Sequence, residues 1–154
     1  MRVLIVEDDD NKRARLIEFL SESLPSASID IAKSFQSGLR QVRDKAANLV
    51  LLDMTLPTYD IGPDESGGDM HPFGGRDFLR QMRRLNVLTP VIVVTQFETF
   101  GSGPDATTLA ALDEELKKSY GKMYLGAVYY HAAIQSWKDE LRRLIVRAGG
   151  GVDR

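Results

Sequence analysis

Cysteine is absent from the 154 residues, and neither charge sign dominates: 20 basic against 22 acidic residues leave a formal net charge of -2. Without thiols the chain has no disulfide, no thiolate metal site and no cysteine nucleophile, as suits a reducing cytoplasm. The near balance of charge removes the electrostatic case for nucleic acid or an anionic membrane surface as a partner. No apolar run approaches the roughly 18 residues of a membrane span. The first residues run into a strand pattern rather than a signal-peptide pattern. With 43% hydrophobic residues, the composition suits one soluble domain with one good core.

What is present is organised around Asn48 to Pro57. Four consecutive apolar residues, Leu49 to Leu52, run into the carboxylate of Asp53. Such a run, with no polar alternation, marks a strand covered on both faces, as in a parallel sheet. Open α/β sheets bind ligands at the carboxyl ends of their strands, so Asp53 is placed for chemistry.

Four more strand signals flank this one. Val3 to Val6 ends in the acids Glu7, Asp8, Asp9 and Asp10, of which the last two suit helix capping. A helix with Leu16, Ile17, Leu20 and Leu24 on one face stops before Pro25. Ser28 to Ala32 reads as a more exposed strand, and Ser34 caps a helix carrying Phe35, Leu39, Val42 and Ala46. Thr58 to Gly75, with five Gly, two Pro and four acids, has no sustained period and reads as a long loop. Its acids Asp60, Asp64, Glu65 and Asp69 read as solvated. A helix with Phe78, Leu79, Met82 and Leu85 precedes the strand Pro90 to Thr95. After a turn at Gly101 to Pro104 comes a helix with Leu109, Leu112 and Leu116, stopped by Gly121. Leu125 to His131 is a fifth strand. Ser136 and Asp139 then match a Ser-x-x-Asp box opening a last helix with Trp137, Leu141, Leu144, Ile145 and Ala148.

Five strand-helix units predict an α/β fold: a doubly wound, five-stranded parallel sheet of flavodoxin-like order 2-1-3-4-5 with helices on both faces. Residues 1–148 form one domain, with an inserted loop at 58–74, an extended fourth-helix region at 97–122 and a flexible tail at 149–154. In that order the ends of the first and third strands share one pocket, bringing Glu7, Asp8 and Asp53 together. Three close carboxylates need protons or a cation, and oxygen ligands with water suit Mg²⁺. A metal-bound carboxylate can also attack phosphorus.

At these residues the chain resembles the receiver domain of two-component response regulators over essentially its whole length. Val-Leu-Ile-Val-Glu-Asp-Asp at Val3 to Asp9 resembles the family's first strand and acidic pair. Leu-Leu-Asp-Met-Thr-Leu-Pro at Leu51 to Pro57 is similar to its phospho-acceptor motif. The resemblance implies Asp53 as acceptor, with Glu7, Asp8, Asp53 and the Thr55 backbone carbonyl as ligands of Mg²⁺. It makes Thr95, closing Pro-Val-Ile-Val-Val-Thr, the switch hydroxyl, and Tyr130, in Gly-Ala-Val-Tyr-Tyr, the switch aromatic.

Departures are equally informative. The Lys-Pro pair expected three residues after the switch aromatic is Ala133 and Ile134, so the phosphate-clamping lysine is absent. Gln96 stands where the family has a small residue. His131 is a candidate substitute cation, though a histidine at a strand end is commonly just hydrogen-bonded, and Lys12 and Lys122 read as solvated surface lysines. Two functions follow as expectations. One is a stand-alone cytoplasmic receiver, a signalling module rather than a turnover enzyme. Its expected partners are a histidine kinase or phosphotransfer protein, an unknown downstream protein, and a second copy of itself as a candidate. The alternative is a pseudo-receiver that binds protein without phosphorylation. A haloacid-dehalogenase-type phosphatase is disfavoured because position 55 is Thr, where that chemistry wants a second acid.

Overall fold

The computed structural model describes residues 1–60 and 70–149. The first half of the chain runs β1 (Arg2–Val6), α1 (Asp10–Ser23), β2 (Ser28–Ala32), α2 (Phe35–Asp44), β3 (Leu49–Leu52), β4 (Leu56–Pro57) and β5 (Met70–His71). The second half runs α3 (Gly74–Arg84), β6 (Val91–Thr95), β7 (Thr99–Phe100), β8 (Thr107–Thr108), α4 (Leu109–Tyr120), β9 (Tyr124–Tyr129) and α5 (Ser136–Arg147). The five longest strands form one parallel sheet in the order β2-β1-β3-β6-β9, which is the expected 2-1-3-4-5 arrangement. Among the described residues no helix is long and apolar enough to cross a membrane.

Period-two alternation divides the sheet's side chains between two cores. Leu4, Val6, Val50, Leu52, Val91 and Val93 face α2, α3 and α4, where Val42, Phe78, Leu79, Met82, Leu112 and Leu116 cover them. Val3, Ile5, Leu49, Leu51, Ile92 and Val94 face α1 and α5, meeting Leu16, Phe19, Leu20, Trp137, Leu141 and Ile145. Both faces of the central strands are therefore dry, which is why their sequences lack polar alternation.

Helix ends follow local chemistry. Asp9 accepts from the Lys12 N–H and caps α1, and Ser34 exchanges capping hydrogen bonds with Ser37 at the start of α2. Thr108 accepts from Ala111 N to cap α4, and Gly121, at φ 56°, ends it.

Some local expectations are corrected. Ser136 is not a cap, because the turn begins one residue earlier at Gln135, whose backbone is already helical and which makes no side-chain cap. Ser136 thus lies inside the first turn, and Asp139 instead pairs with Arg142 at 3.1 Å. Ala46 lies beyond the end of α2, and Leu85 is the exposed cap residue of α3. The loop read over Thr58 to Gly75 is bracketed by antiparallel pairing of β4 with β5, and α3 already begins at Gly74. Similarly, β7 pairs with β8 ahead of α4. Asp64, Glu65, Asp69 and most of the expected tail lie outside the described residues.

Candidate functional site

The acid cluster is built by strand parity. Glu7 follows β1 in phase with Val3 and Ile5, and Asp53 follows β3 in phase with Leu49 and Leu51, so both carboxylates point to the side covered by α1. Backbone bonds from Glu7 N to Ala32 O (2.9 Å) and from Asp53 N to Val6 O (3.0 Å) extend the sheet ladder to these residues. Glu7 and Asp53 are buried and Asp8 is half-buried; one carboxylate oxygen of each lies within 4.8 Å of the others. The expectation that the first and third strands deliver these acids to one pocket thus matches the geometry.

Lys12 overturns its expected place on the surface. Its side chain is only 1% exposed, with Nζ 2.5 Å from Glu7 Oε1 and 3.2 Å from Asp53 Oδ1. It also donates to the Val94 carbonyl at 2.5 Å. The reason is positional: Lys12 lies on the inner face of α1, four residues before Leu16 and eight before Leu20, so the helix that buries those leucines buries Lys12 as well. A lysine is buried at that depth only with anionic partners, which the strand ends supply. Arg13 locks the connection, donating to the Glu7 carbonyl at 3.0 Å and pairing with Asp10.

Electrostatics inside the cluster reflect crowding. Burial pushes the Glu7 carboxyl up to about 8, Lys12 opposing and Asp53 reinforcing the rise. Asp8 is raised by burial and then by Asp53. Burial works against the Lys12 ammonium, but Asp53 and Glu7 outweigh it and hold its pKa above the ordinary lysine value. Three carboxylates against one ammonium leave an excess of two negative charges when all are ionised. Asp53 Oδ1 is buried and, despite its ionic contact with Lys12, makes no directed hydrogen bond. An all-oxygen donor set with that excess charge and an unsaturated carboxylate fits Mg²⁺, which keeps several waters of its own.

Thr55 lies two residues beyond Asp53, its hydroxyl donating to Pro72 O at 3.3 Å. Thr95 is fully buried, its Oγ1 accepting from Phe97 N at 3.2 Å and its carbonyl from Tyr130 N at 2.7 Å. Tyr130 is buried against Trp137, with ring centroids 5.0 Å apart, and Trp137 lies 5.6 Å from Phe19. Ala133 is exposed in the turn before α5, and His131 is spent locally, its Nδ1 accepting from Ala133 N at 3.2 Å. Lys122 is exposed, as expected. Gln96 is exposed as well and lines an open groove with Phe97, Tyr129, Tyr130, His131 and Ala132. Asp60 accepts from Ser37 Oγ at 2.7 Å, so it is tied to the start of α2 rather than to the acid cluster.

No family model matches the chain. Individual proteins do. The uncharacterized protein y4jR of Sinorhizobium fredii is 41% identical over 145 residues, spanning 92% of this chain and 95% of its own. The Detocs response regulatory protein DtcB of Enterobacter cloacae is 31% identical over 147 residues, spanning 94% of this chain and 98% of its own. Among solved structures, a response regulator receiver domain protein from Clostridium thermocellum superposes with a TM-score of 0.63 at 17% identity, covering 96% of this chain and 92% of its own. The response regulator TrrA of Thermotoga maritima, solved with Mg²⁺ and BeF, gives a TM-score of 0.56 at 19% identity, covering 93% and 97%.

Proposed function

We propose, from the premise that this chain belongs to the receiver family of two-component response regulators, that it acts by accepting a phosphoryl group on Asp53. The observation that carries the reading is the convergence of Glu7, Asp8 and Asp53 at the carboxyl end of the sheet, around one buried ammonium. In the reaction a carboxylate oxygen of Asp53 forms a bond to phosphorus while the bond from phosphorus to the donor breaks. The imidazole of a phosphohistidine, already protonated on its other ring nitrogen, keeps that bonding pair and departs neutral; an acyl phosphate releases its carboxylate. Glu7, Asp8, Asp53 and the Thr55 carbonyl would hold Mg²⁺, which offsets charge on the phosphoryl oxygens when bound. Asp53 is only 5% exposed, which limits the access of bulk water to it.

Partners on this reading are a histidine kinase or phosphotransfer protein as donor and a further protein as reader, in the cytoplasm. The role is signalling rather than turnover. The test is incubation with Mg²⁺ and acetyl phosphate, read by intact mass. A single phosphate adduct on the wild-type chain and none on Asp53→Asn is expected; an unlabelled wild type, or an adduct that persists in Asp53→Asn, overturns the reading.

A second reading, a pseudo-receiver that binds protein without phosphorylation, draws on the exposed Ala133 and Gln96 and on the two added strand pairs. It predicts equal binding of the reader protein by the wild type and Asp53→Asn.

A further inference from the structure

We infer that Lys12, carried on helix α1, is the cation that grips the phosphoryl group on Asp53. This rests on Asp53 being the acceptor. Converting a carboxylate to an aspartyl phosphate places further negative charge beside Glu7 and Asp8, and a divalent ion can face only part of it. A cation within hydrogen-bond reach of Asp53 would offset the remainder. Among the described residues Lys12 is the only side chain that forms an ion pair with Asp53. Arg13 is turned to Glu7 O and Asp10, and His131 is exposed and bonded to its own turn.

The donor count on Lys12 agrees with this role. An ammonium has three N–H groups. One is engaged by Glu7 and one by the Val94 carbonyl, each at 2.5 Å. The contact to Asp53 Oδ1 is 3.2 Å, yet that oxygen makes no directed hydrogen bond. The contact to Asp53 is the longest of the three that Lys12 makes, and an oxygen of a phosphoryl group attached there would offer the ammonium a closer partner. The donor is also positioned in advance. The Lys12 backbone N–H is held by the Asp9 cap at 2.9 Å, and its side chain is almost fully desolvated, where charge-assisted hydrogen bonds are strongest.

The test uses the full chain, acetyl phosphate with Mg²⁺, and beryllofluoride as a phosphoryl mimic. In Lys12→Met, which fills similar volume without charge, the labelling rate and beryllofluoride affinity are expected to fall roughly 10- to 100-fold, the worth of one hydrogen bond to a charged group. The fall is measured per folded molecule, with the folded fraction taken from circular dichroism. Lys12→Met/Ala133→Lys is expected to recover part of the loss. Equal labelling by wild type and Lys12→Met, with the wild type labelled on Asp53, makes Lys12 a structural counter-ion and overturns this inference alone. A wild type that takes no label overturns the acceptor reading instead. Should Lys12→Met fail to fold, the Lys12 ¹⁵Nζ resonance of the wild type decides: it is expected to shift on adding beryllofluoride with Mg²⁺ beyond any shift with Mg²⁺ alone, and an unmoved signal overturns the inference.

Discussion

Gly75, the second residue of α3, holds the acceptor segment from below, with its N–H donating to the Met54 carbonyl at 2.8 Å. A Cβ at this position would meet the Asp53 carbonyl oxygen at 2.7 Å, Met54 Cα at 2.9 Å and Met54 Cε at 3.2 Å. The two shorter contacts are to backbone, so no rotamer change relieves them. In Gly75→Ala either α3 moves off the end of β3 or Asp53 moves. Overpacking of this kind costs about 1–3 kcal/mol. The smaller conformational entropy of an unfolded chain with alanine offsets about 0.4–1 kcal/mol of it. The neighbour supplies the comparison: a Cβ on Gly74 would meet Leu56 Cβ at 3.2 Å, Leu56 N at 3.4 Å and His71 Cβ at 3.5 Å, none of them as close as the two backbone contacts at Gly75.

Gly75→Ala is therefore expected to lose about 1–2 kcal/mol net, a drop in Tm of roughly 2–8 °C for a chain of this size. Gly74→Ala should lose less than Gly75→Ala, because its contacts are longer. Urea unfolding followed by the fluorescence of Trp137, the single indole, reads both variants, and acetyl phosphate labelling of Gly75→Ala should slow because Asp53 is displaced. If Gly75→Ala unfolds with the wild type, or if Gly74→Ala proves the worse of the two, backbone contact at Gly75 does not set the position of Asp53.

Mg²⁺ at a hundred times its Kd should stabilise the wild type by about 2.7 kcal/mol, and Asp53→Asn should lose most of that gain; thermal melts with and without chelator measure it. Tyr124 donates from its hydroxyl to Asp113 at 2.6 Å, and burial, followed by that bond and the Asp113 charge, holds its phenol well above the usual tyrosine range. Its contribution to stability is thus complete below the unfolded tyrosine pKa of about 10 and is lost as pH rises past it. Urea midpoints between pH 9 and 11 should fall more steeply for the wild type than for Tyr124→Phe, and parallel curves would refute this. Ser34→Ala removes a fully buried cap with reciprocal bonds to Ser37, and a loss of about 1 kcal/mol is expected in urea unfolding.

How far the sequence was legible depended on whether a residue's surroundings could be inferred from its own run. Val3 to Val6 and Leu49 to Leu52 are uninterrupted apolar runs because helices cover both sheet faces, and the acids at their ends follow from parallel order alone. Lys12 reads as solvated when its charge is taken alone, although it shares a stripe with Leu16, Phe19 and Leu20. That spacing was the available signal: a lysine in phase with a buried stripe, one turn from a row of acids. The strand pairs β4 with β5 and β7 with β8 are two residues each, too short for any period to register. The Ser136 to Asp139 pattern reads the same whether the serine precedes the helix or lies in its first turn, and only backbone conformation separates the two cases.

The position of Lys12 also changes which parts of the fold a charge on Asp53 would reach. Glu7, Asp8 and Lys12 come from one short stretch, the end of β1 and the first turn of α1, fixed by the Asp9 cap and by Arg13 on the Glu7 carbonyl. Among the described residues no ion pair joins the turn before α5 to the site, and Ala133 is exposed there. The fifth strand is joined instead through β6: Lys12 holds the Val94 carbonyl, and the next residue, Thr95, accepts from Tyr130 N. A phosphoryl oxygen that draws Lys12 would therefore pull on β6 first, and Tyr130 would respond through Thr95. Thr95→Val removes the hydroxyl that holds Phe97 N but keeps the backbone bond to Tyr130, so the Trp137 fluorescence change on adding beryllofluoride should survive it. Lys12→Met should abolish that change. A response lost in Thr95→Val and kept in Lys12→Met would place the link in the Thr95 hydroxyl rather than in the lysine and the strand it holds.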